Sequence, residues 1–344
     1  MARDAGPRDG GPAARVIVVS YNSAAYVNRC LAALAAQTET RFEAVVVDNA
    51  SRDVDAIRLP SVSDPTINDP RGVPRDDPRF TLIRLSENTG FAMANNIGAR
   101  GAQAPWIVTL NPDAFAEPGW LRALLDAAAA HPEAGMFGST QLAADDPSRL
   151  DGIGDRYAGF GLFWRGGVGR PALRPFREGE TFSPCAAAAM YRRDLFERVG
   201  GFDESFFCYG EDVDLGFRIR LLGGRCHQAG AAVVHHVGSG ITKEYGDFSL
   251  YHSVRNGMWI LVKNIPFPLI ALSAPLYALA MTYLLVFRWR RAPARTVRRG
   301  IRAAFAGLGG ALRQRRAIQR TRRASQCALM RAMTWNPLVV RRGD

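Results

Sequence analysis

Short apolar runs that stop at polar residues constrain this chain more tightly than any other feature. Val16 to Ser20, Ala44 to Val47 and Trp106 to Leu110 are continuous, largely β-branched and too short for a buried helix, so they read as strands covered on both faces. Phe80 to Leu85 reads as a further strand, and Ala24 to Ala36 and Ser86 to Arg100 read as helices between them. Strand and helix in alternation give a parallel sheet wrapped by helices. At 344 residues and 47% hydrophobic, the chain buries one such core with an appendage to spare. Open sheets of this kind bind ligands beyond the carboxyl ends of their strands. Asp48 follows the second run and Asn111, Pro112 and Asp113 follow the fourth, so two carboxylates converge on that edge. No GxGxxG joins the first strand to the first helix, which argues against a dinucleotide and leaves a mononucleotide open.

Further along, FFCYGEDVDLGFRIR (206 to 220) sets Glu211, Asp212 and Asp214 at the start of a helix. Leu215, Ile219 and Leu222 recur at spacings of four and three, so one face packs inward and the acidic end meets a cleft, with Gly210 as the turn. Acids in a first helical turn also complement the helix dipole in helices without chemistry, so the cluster alone decides nothing. Asn88 and Gly90 open the second helix and Asn96 lies within it, where amides equally serve as caps. His235 and His236 end the apolar run Ala231 to Val234, the ordinary place for a polar strand terminus. From Ala144 to Pro184, glycines alternate with aromatics including Phe163 and Trp164, which fits either an acceptor-binding lid or a plain surface loop. Leu59 to Arg79 is crowded with Pro, Asp and Arg and reads as a surface loop.

Five motifs in order carry a resemblance. VIVVSYN (16 to 22), VVVDNAS (45 to 51), ENTGFAMANNIGA (87 to 99), LNPDA (110 to 114) and GGFDESFFCYGEDVDLGFRIR (200 to 220) together resemble family 2 glycosyltransferases, nearest their rhamnosyltransferase-like branch. The likeness spans roughly residues 15 to 264. It implies an α/β fold of GT-A type, a mostly parallel Rossmann-like sheet flanked by helices. It also implies nucleotide-sugar contacts from Ser20, Tyr21, Asn22 and Asp48, with Asn88, Gly90 and Asn96 closing around the nucleotide. Asp113 would be the last carboxylate of a DxD-type motif holding Mg²⁺ or Mn²⁺ across the diphosphate; Asn111 departs from the usual first Asp. Asp212 matches the family's general base, with Glu211 beside it. Asp214 and Trp164 are assigned to the acceptor side. A histidine after the base helix adds a metal contact in such enzymes, and His235 is assigned here in preference to His236. One base for one displacement implies inversion at the anomeric carbon. The donor expected is TDP-rhamnose, with a UDP-sugar (galactofuranosyl or N-acetylhexosaminyl) as alternative. The acceptor expected is a polyprenyl-diphosphate-linked saccharide in cell-wall or surface-polysaccharide synthesis. A catalytically silent glycan-binding protein of the same fold is the other alternative.

Charge divides the chain. Of its 44 basic and 32 acidic residues, 16 arginines and one acid lie in residues 288 to 344, leaving 28 against 31 before them. With no nucleic-acid module in a slightly acidic body, the tail points to an anionic membrane surface and not to nucleic acid. Leu269 to Phe287 is an uncharged apolar run of 19, long enough to cross a bilayer. A crossing would carry all 16 arginines away from a cytosolic site, and Pro266, Pro268 and Pro275 interrupt the run, so an interfacial or re-entrant segment is expected. The organisation expected is a loose leader (1 to 14) without the apolar core of a signal peptide, then a catalytic domain (15 to 264) divided after residue 114 into nucleotide-sugar and acceptor halves. An apolar helical segment (265 to 287) and a basic helical tail (288 to 344) follow, the whole sitting peripherally on the cytoplasmic face of the membrane. Five cysteines without CxxC spacing indicate neither a disulfide framework nor a zinc site.

Overall fold

The apolar runs form the strands expected of them. In chain order the elements are β1 (Ala14–Ser20), α1 (Ala24–Ala35), β2 (Phe42–Asp48), β3 (Ser61–Val62), β4 (Arg75–Asp76), β5 (Phe80–Arg84), α2 (Gly90–Ala99), β6 (Trp106–Leu110), β7 (Ala114–Ala116), α3 (Trp120–Ala130) and β8 (Ala134–Ala143). The second half adds β9 (Leu150–Gly152), β10 (Asp155–Tyr157), β11 (Phe163–Arg165), β12 (Gly179–Glu180), β13 (Ala188–Arg192), α4 (Arg193–Arg198), α5 (Glu211–Leu221) and β14 (Arg225–His236). Helices close the chain: α6 (Phe248–Asn264), α7 (Leu269–Phe287), α8 (Ala294–Ala306), α9 (Leu308–Thr321) and α10 (Gln326–Ala332). This computed structural model describes residues 10–62, 75–238, 247–287, 294–336 and 339. Residues 1–9 of the expected leader and the middle of the 59 to 79 loop lie outside the described residues.

The main sheet runs β12-β14-β8-β13-β6-β1-β2-β5. β1 is parallel to β2 and β6, β2 to β5, and β14 to β8, whereas β13 is antiparallel to both its neighbours. The register sets Ser20 level with Asp48, so the polar ends of the strands share one edge. Because β13 runs backwards, it begins at that edge, with Ala188 opposite Leu110. β8 lies in the middle of the sheet, yet its sequence gives no apolar run. Ser139 and Thr140 are fully buried there because Trp120 Nε1 donates to Ser139 Oγ (2.8 Å) and Thr140 Oγ1 to the Gly230 carbonyl (3.0 Å).

α5 departs from the expected amphipathic helix, since of its residues only Asp212 is not buried. Leu215 and Ile219 pack into the sheet-side core, while Val213, Phe217 and Leu221 pack with α6 and the tail helices. The tail itself is folded back on the catalytic body. Trp259 Nε1 donates to the Ala304 carbonyl (2.9 Å), and Arg315 donates to the carbonyls of Val262 and Ile265 (2.6 Å each). These bonds cap the carboxyl end of α6 with a cation, the favourable sign for a helix C-terminus.

Candidate active site

A cleft of about 810 Å³ opens at the carboxyl edge of the sheet. Tyr21, Asn49, Asn88 and Gly90 form one wall, Asn111 to Asp113 and His236 the floor, Phe163 to Arg165 of β11 a second wall, and Phe207 to Val213 the approach to α5. Asp212 faces this space. Its Oδ2 accepts the Ala186 N–H (3.1 Å) and its Oδ1 the Val213 N–H (2.8 Å), so the reversed strand and the helix start together fix the carboxylate. Glu211 also lines the cleft, but burial first and the charge of Asp212 second raise its carboxyl well above the usual range. Asp212 is the member of the pair held by two backbone N–H groups and open to the cleft, the geometry of a group that can take a proton from a substrate.

Asp113 stands at the end of β6, 3% exposed, and His236 Nε2 lies 3.3 Å from its Oδ1. On the far side of the ring, His236 Nδ1 is 2.7 Å from Asp151 Oδ2, which also takes the Arg165 guanidinium at 2.5 Å. Burial alone would push the imidazole down; its hydrogen bonds to Asp113 and Asp151 outweigh that and raise it. The choice of His235 is corrected by the strand itself. Neighbouring side chains on β14 point to opposite faces, so His235 turns away and meets Glu117 Oε1 at 3.2 Å, while His236 faces Asp113.

Asp214 is likewise corrected: it does not reach the cleft. It is fully buried between Arg218 Nε (2.7 Å), Lys263 Nζ (2.9 Å) and Asn264 Nδ2 (2.8 Å), tying α5 to α6. Asn96 also points elsewhere, pairing with both backbone groups of Phe202, N–H to Oδ1 at 2.8 Å and Nδ2 to the carbonyl at 2.9 Å. Ser20 is buried with its Oγ 3.2 Å from Ser23 Oγ, and Asn22 ties the turns after β1 and β2 by accepting the Arg52 N–H (2.9 Å). Neither lines the cleft wall. Asp48, buried at the end of β2, does not line it either; its Oδ2 accepts the Ser51 N–H (3.0 Å) and its Oδ1 is buried without a partner. Asn88 Oδ1 shapes the wall by accepting Asn49 Nδ2 (2.9 Å) and the Gly90 N–H (3.0 Å). Gly90 is required there: its φ is +82°, and a Cβ would come within 2.5 Å of the Phe207 ring. Trp164 faces the cleft with its indole N–H buried and unpaired.

Asp151, Asp155 and Arg165 were not legible as site residues, because they sit in a Gly-rich segment without helical or strand periodicity. The one signal available was a pair of aspartates four apart ahead of an aromatic run. Asp155 is buried, its Oδ2 has no donor, and burial followed by the charge of Asp212 raises it well above the usual carboxylate range. With Cys185 and Asp212 it forms a donor set whose ligand atoms lie within 4.8 Å of one another. That set does not suit a hard divalent cation, since burial pushes the Cys185 thiol up to about 12 and, with the charge of Asp212, raises the Asp155 carboxyl. Asp113 and His236 suit one better: Asp151 orients the ring through Nδ1, and on losing its Nε2 proton the imidazole would offer that nitrogen beside the Asp113 carboxylate.

Residues 15–200 match the sequence profile described as glycosyl transferase family 2. The chain is a family 2 glycosyltransferase. It is 30% identical over 246 residues to the N-acetylglucosaminyl-diphospho-decaprenol L-rhamnosyltransferase of Mycobacterium tuberculosis, covering 64% of this chain and 75% of that one. The succinoglycan biosynthesis protein ExoO of Rhizobium meliloti is 28% identical over 238 residues, covering 67% of this glycosyltransferase and 62% of ExoO. Among solved structures, the mannosyltransferase PcManGT of Pyrobaculum calidifontis, in complex with GDP-Man and Mn²⁺, superposes with a TM-score of 0.52 at 20% identity, covering 94% of this chain and 86% of that one. GalNAc-T7 with UDP, GalNAc and Mn²⁺ gives 0.51 at 12% identity, covering 83% and 59%. These likenesses establish the GT-A fold for this glycosyltransferase.

Proposed function

We propose that this glycosyltransferase moves rhamnose from TDP-rhamnose onto a polyprenyl-diphosphate-linked saccharide, with inversion at the anomeric carbon. The observation that carries the reading is Asp212, a carboxylate oriented by two backbone N–H groups and set across one cleft from Asp113 and His236. The rhamnosyl group and the polyprenyl-diphosphate acceptor follow the activity named for the mycobacterial relative, and TDP as the carrier nucleotide follows from the resemblance carried by the sequence motifs.

In the proposed reaction an acceptor hydroxyl enters along the β11 wall, where Phe163 and Trp164 offer ring faces to a sugar. Asp212 takes the hydroxyl proton as the new bond forms at the anomeric carbon, and the bond to the nucleoside diphosphate breaks on the opposite face. A single displacement leaves the anomeric configuration inverted. Burial raises the carboxyls of Glu211 and Asp155, which favours their uncharged forms and limits negative charge in the space where the hydroxyl is activated. Tyr21 and Asn88 are the groups of the cleft wall available to the nucleoside. Asp113 and His236 would hold a divalent metal, which when bound neutralises charge building on the diphosphate.

The site belongs, in this reading, at an anionic membrane surface. Among the described residues no helix is long and apolar enough to cross a membrane. Among its described residues α7 buries every fourth, Leu269, Ser273, Tyr277 and Met281. Leu272, Leu276, Leu279, Tyr283 and Val286 are exposed on a helix without a single charge, while Arg295, Arg298, Arg299 and Arg302 cover the outside of α8. An apolar helix beside exposed arginines fits the boundary between headgroups and acyl chains.

The test is nucleoside diphosphate release from TDP-, UDP- and GDP-sugars, with polyprenyl-linked acceptors and with Mg²⁺, Mn²⁺ or chelator. Release from TDP-rhamnose that chelator abolishes is expected. Asp212→Asn is expected to slow it by ~10²- to 10⁴-fold while nucleotide binding persists. Release from a UDP-sugar alone overturns the rhamnosyl assignment, and nucleotide binding without any turnover supports the silent protein.

A further inference from the structure

Three of the four residues before α5 adopt a backbone that ordinary side chains avoid. Phe207 has φ 65° and ψ −65°, and the Cys208 N–H reaches the Phe206 carbonyl at 2.8 Å, which makes residues 206 to 208 a γ-turn of the rare, strained hand. Tyr209 at φ 67° and Gly210 at φ 84° follow, so three of four consecutive residues are left-handed and two of them carry aromatic side chains. Such a conformation persists only where its surroundings over-determine it. Here the surroundings are one helix. The Asn256 amide nitrogen, fully buried on α6, donates to the carbonyls of Phe206 (3.2 Å), Cys208 (2.9 Å) and Tyr209 (2.7 Å). Arg255 Nη2 adds a bond to the Phe206 carbonyl (2.6 Å), and its Nε donates to Asn256 Oδ1 (2.8 Å), which keeps the amide nitrogen aimed at the turn. His252, one helical turn earlier, stacks on the Phe207 ring with centroids 5.7 Å apart.

The turn has two neighbours that matter. Its Phe207 carbonyl accepts the Ala92 N–H (3.2 Å) beside Gly90 on the nucleotide wall, and its last residue, Gly210, leads directly into Glu211 and Asp212. We propose that Asn256, supported by Arg255, is a positioning residue for sugar transfer: it holds the left-handed turn in the one conformation that delivers Asp212 to the cleft. The inference rests on Asp212 being the base. It also gives the C-terminal helices a part in catalysis, because α6 is packed against α8 and α9 on its other side.

Asn256→Asp isolates the claim, because it keeps the shape and removes the donor from three carbonyls. Wild type, Asp212→Asn, Asn256→Asp and Asn256→Ala are compared for kcat and KM with the sugar nucleotide that the wild type uses, with the folded fraction counted by nucleoside diphosphate binding. The expected result is kcat per folded molecule lower by ~10²-fold in both Asn256 variants, nucleoside diphosphate affinity unchanged within about threefold, and partial recovery of Asn256→Asp as pH falls and the carboxyl regains a proton to donate. Amide hydrogen exchange, which needs no activity, is expected to quicken in residues 206 to 212 while the β1 and β2 amides stay protected. In a Tyr209→Gly background, where the left-handed residue no longer strains, removing Asn256 is expected to cost less than it does alone. An inactive Asp212→Asn beside near wild-type Asn256 variants overturns the positioning role and leaves the base intact. Full activity in Asp212→Asn overturns the base instead. Effects of Asn256 and Tyr209 that simply multiply, or a loss of activity matched by lost folded fraction, also overturn the proposal.

Discussion

Replacing Lys263 with methionine tests whether Asp214 is structural. Lys263 is 1% exposed, and its ammonium bridges Asp203 and, at 2.9 Å, Asp214. Burial pushes the Asp214 carboxyl up; Lys263 first and Arg218 second outweigh burial and bring it from 3.8 down to about 2. That lowering corresponds to roughly 2 kcal/mol in favour of the charged carboxylate in the folded chain. A lowered acid contributes stability that is complete above pH 3.8 and is lost as pH falls through about 2. Lys263→Met leaves two buried carboxylates with one cation fewer and should cost about 3 kcal/mol at pH 7. Asp214 should then rise, so acid unfolding begins at higher pH than in wild type. Urea unfolding followed by tryptophan fluorescence at pH 7 and pH 4.5 reads both effects. Adding Asp214→Asn to Lys263→Met removes one orphaned carboxylate but leaves the buried Arg218 without its partner, so the double variant should recover only part of the loss. A Lys263→Met protein within about 1 kcal/mol of wild type would refute the reasoning. So would an Asp214→Asn variant that weakens acceptor KM while leaving stability untouched, the behaviour of an acceptor-binding residue.

Three further outcomes follow from the geometry. His236→Ala should lower turnover by ~10²-fold or more and blunt the response to added Mn²⁺, while His235→Ala should stay within about threefold of wild type; equal effects would undo the assignment on β14. Leu272→Glu with Leu279→Glu should reduce co-sedimentation with phosphatidylglycerol vesicles by ~10-fold or more without changing nucleoside diphosphate binding, and unchanged sedimentation would remove α7 from the membrane. Asp155→Asn should displace the acid limb of kcat against pH, since it removes a carboxyl that shares the space of Asp212; an unmoved profile would make Asp155 a bystander.

The sheet and its ligand edge were readable from the sequence because buried parallel strands leave a one-dimensional mark. VIVVS, AVVV and WIVTL can only be strands between two covered faces, and the polar residues that stop them must share an edge once the strands run parallel. Asp113, Asp212, Tyr21, Asn88 and Gly90 lie where that logic, with the five ordered motifs, puts them. β8 escaped because its polar atoms find partners only inside the folded sheet, and hydropathy does not record a satisfied hydrogen bond.

What remained was decided by tertiary structure, for reasons no local pattern contains. His235 and His236 are adjacent and chemically identical, and the pleat of β14 alone sends one to Glu117 and the other to Asp113. Asp212 and Asp214 share a helical turn, yet Asp212 meets the cleft and Asp214 meets Lys263, because α6, some fifty residues later, covers one side of α5 and not the other. Sequence fixes which groups the chain carries and which local shapes they favour. Which carboxylate faces a substrate, and which disappears into an ion pair, depends on the element that packs against it from far along the chain.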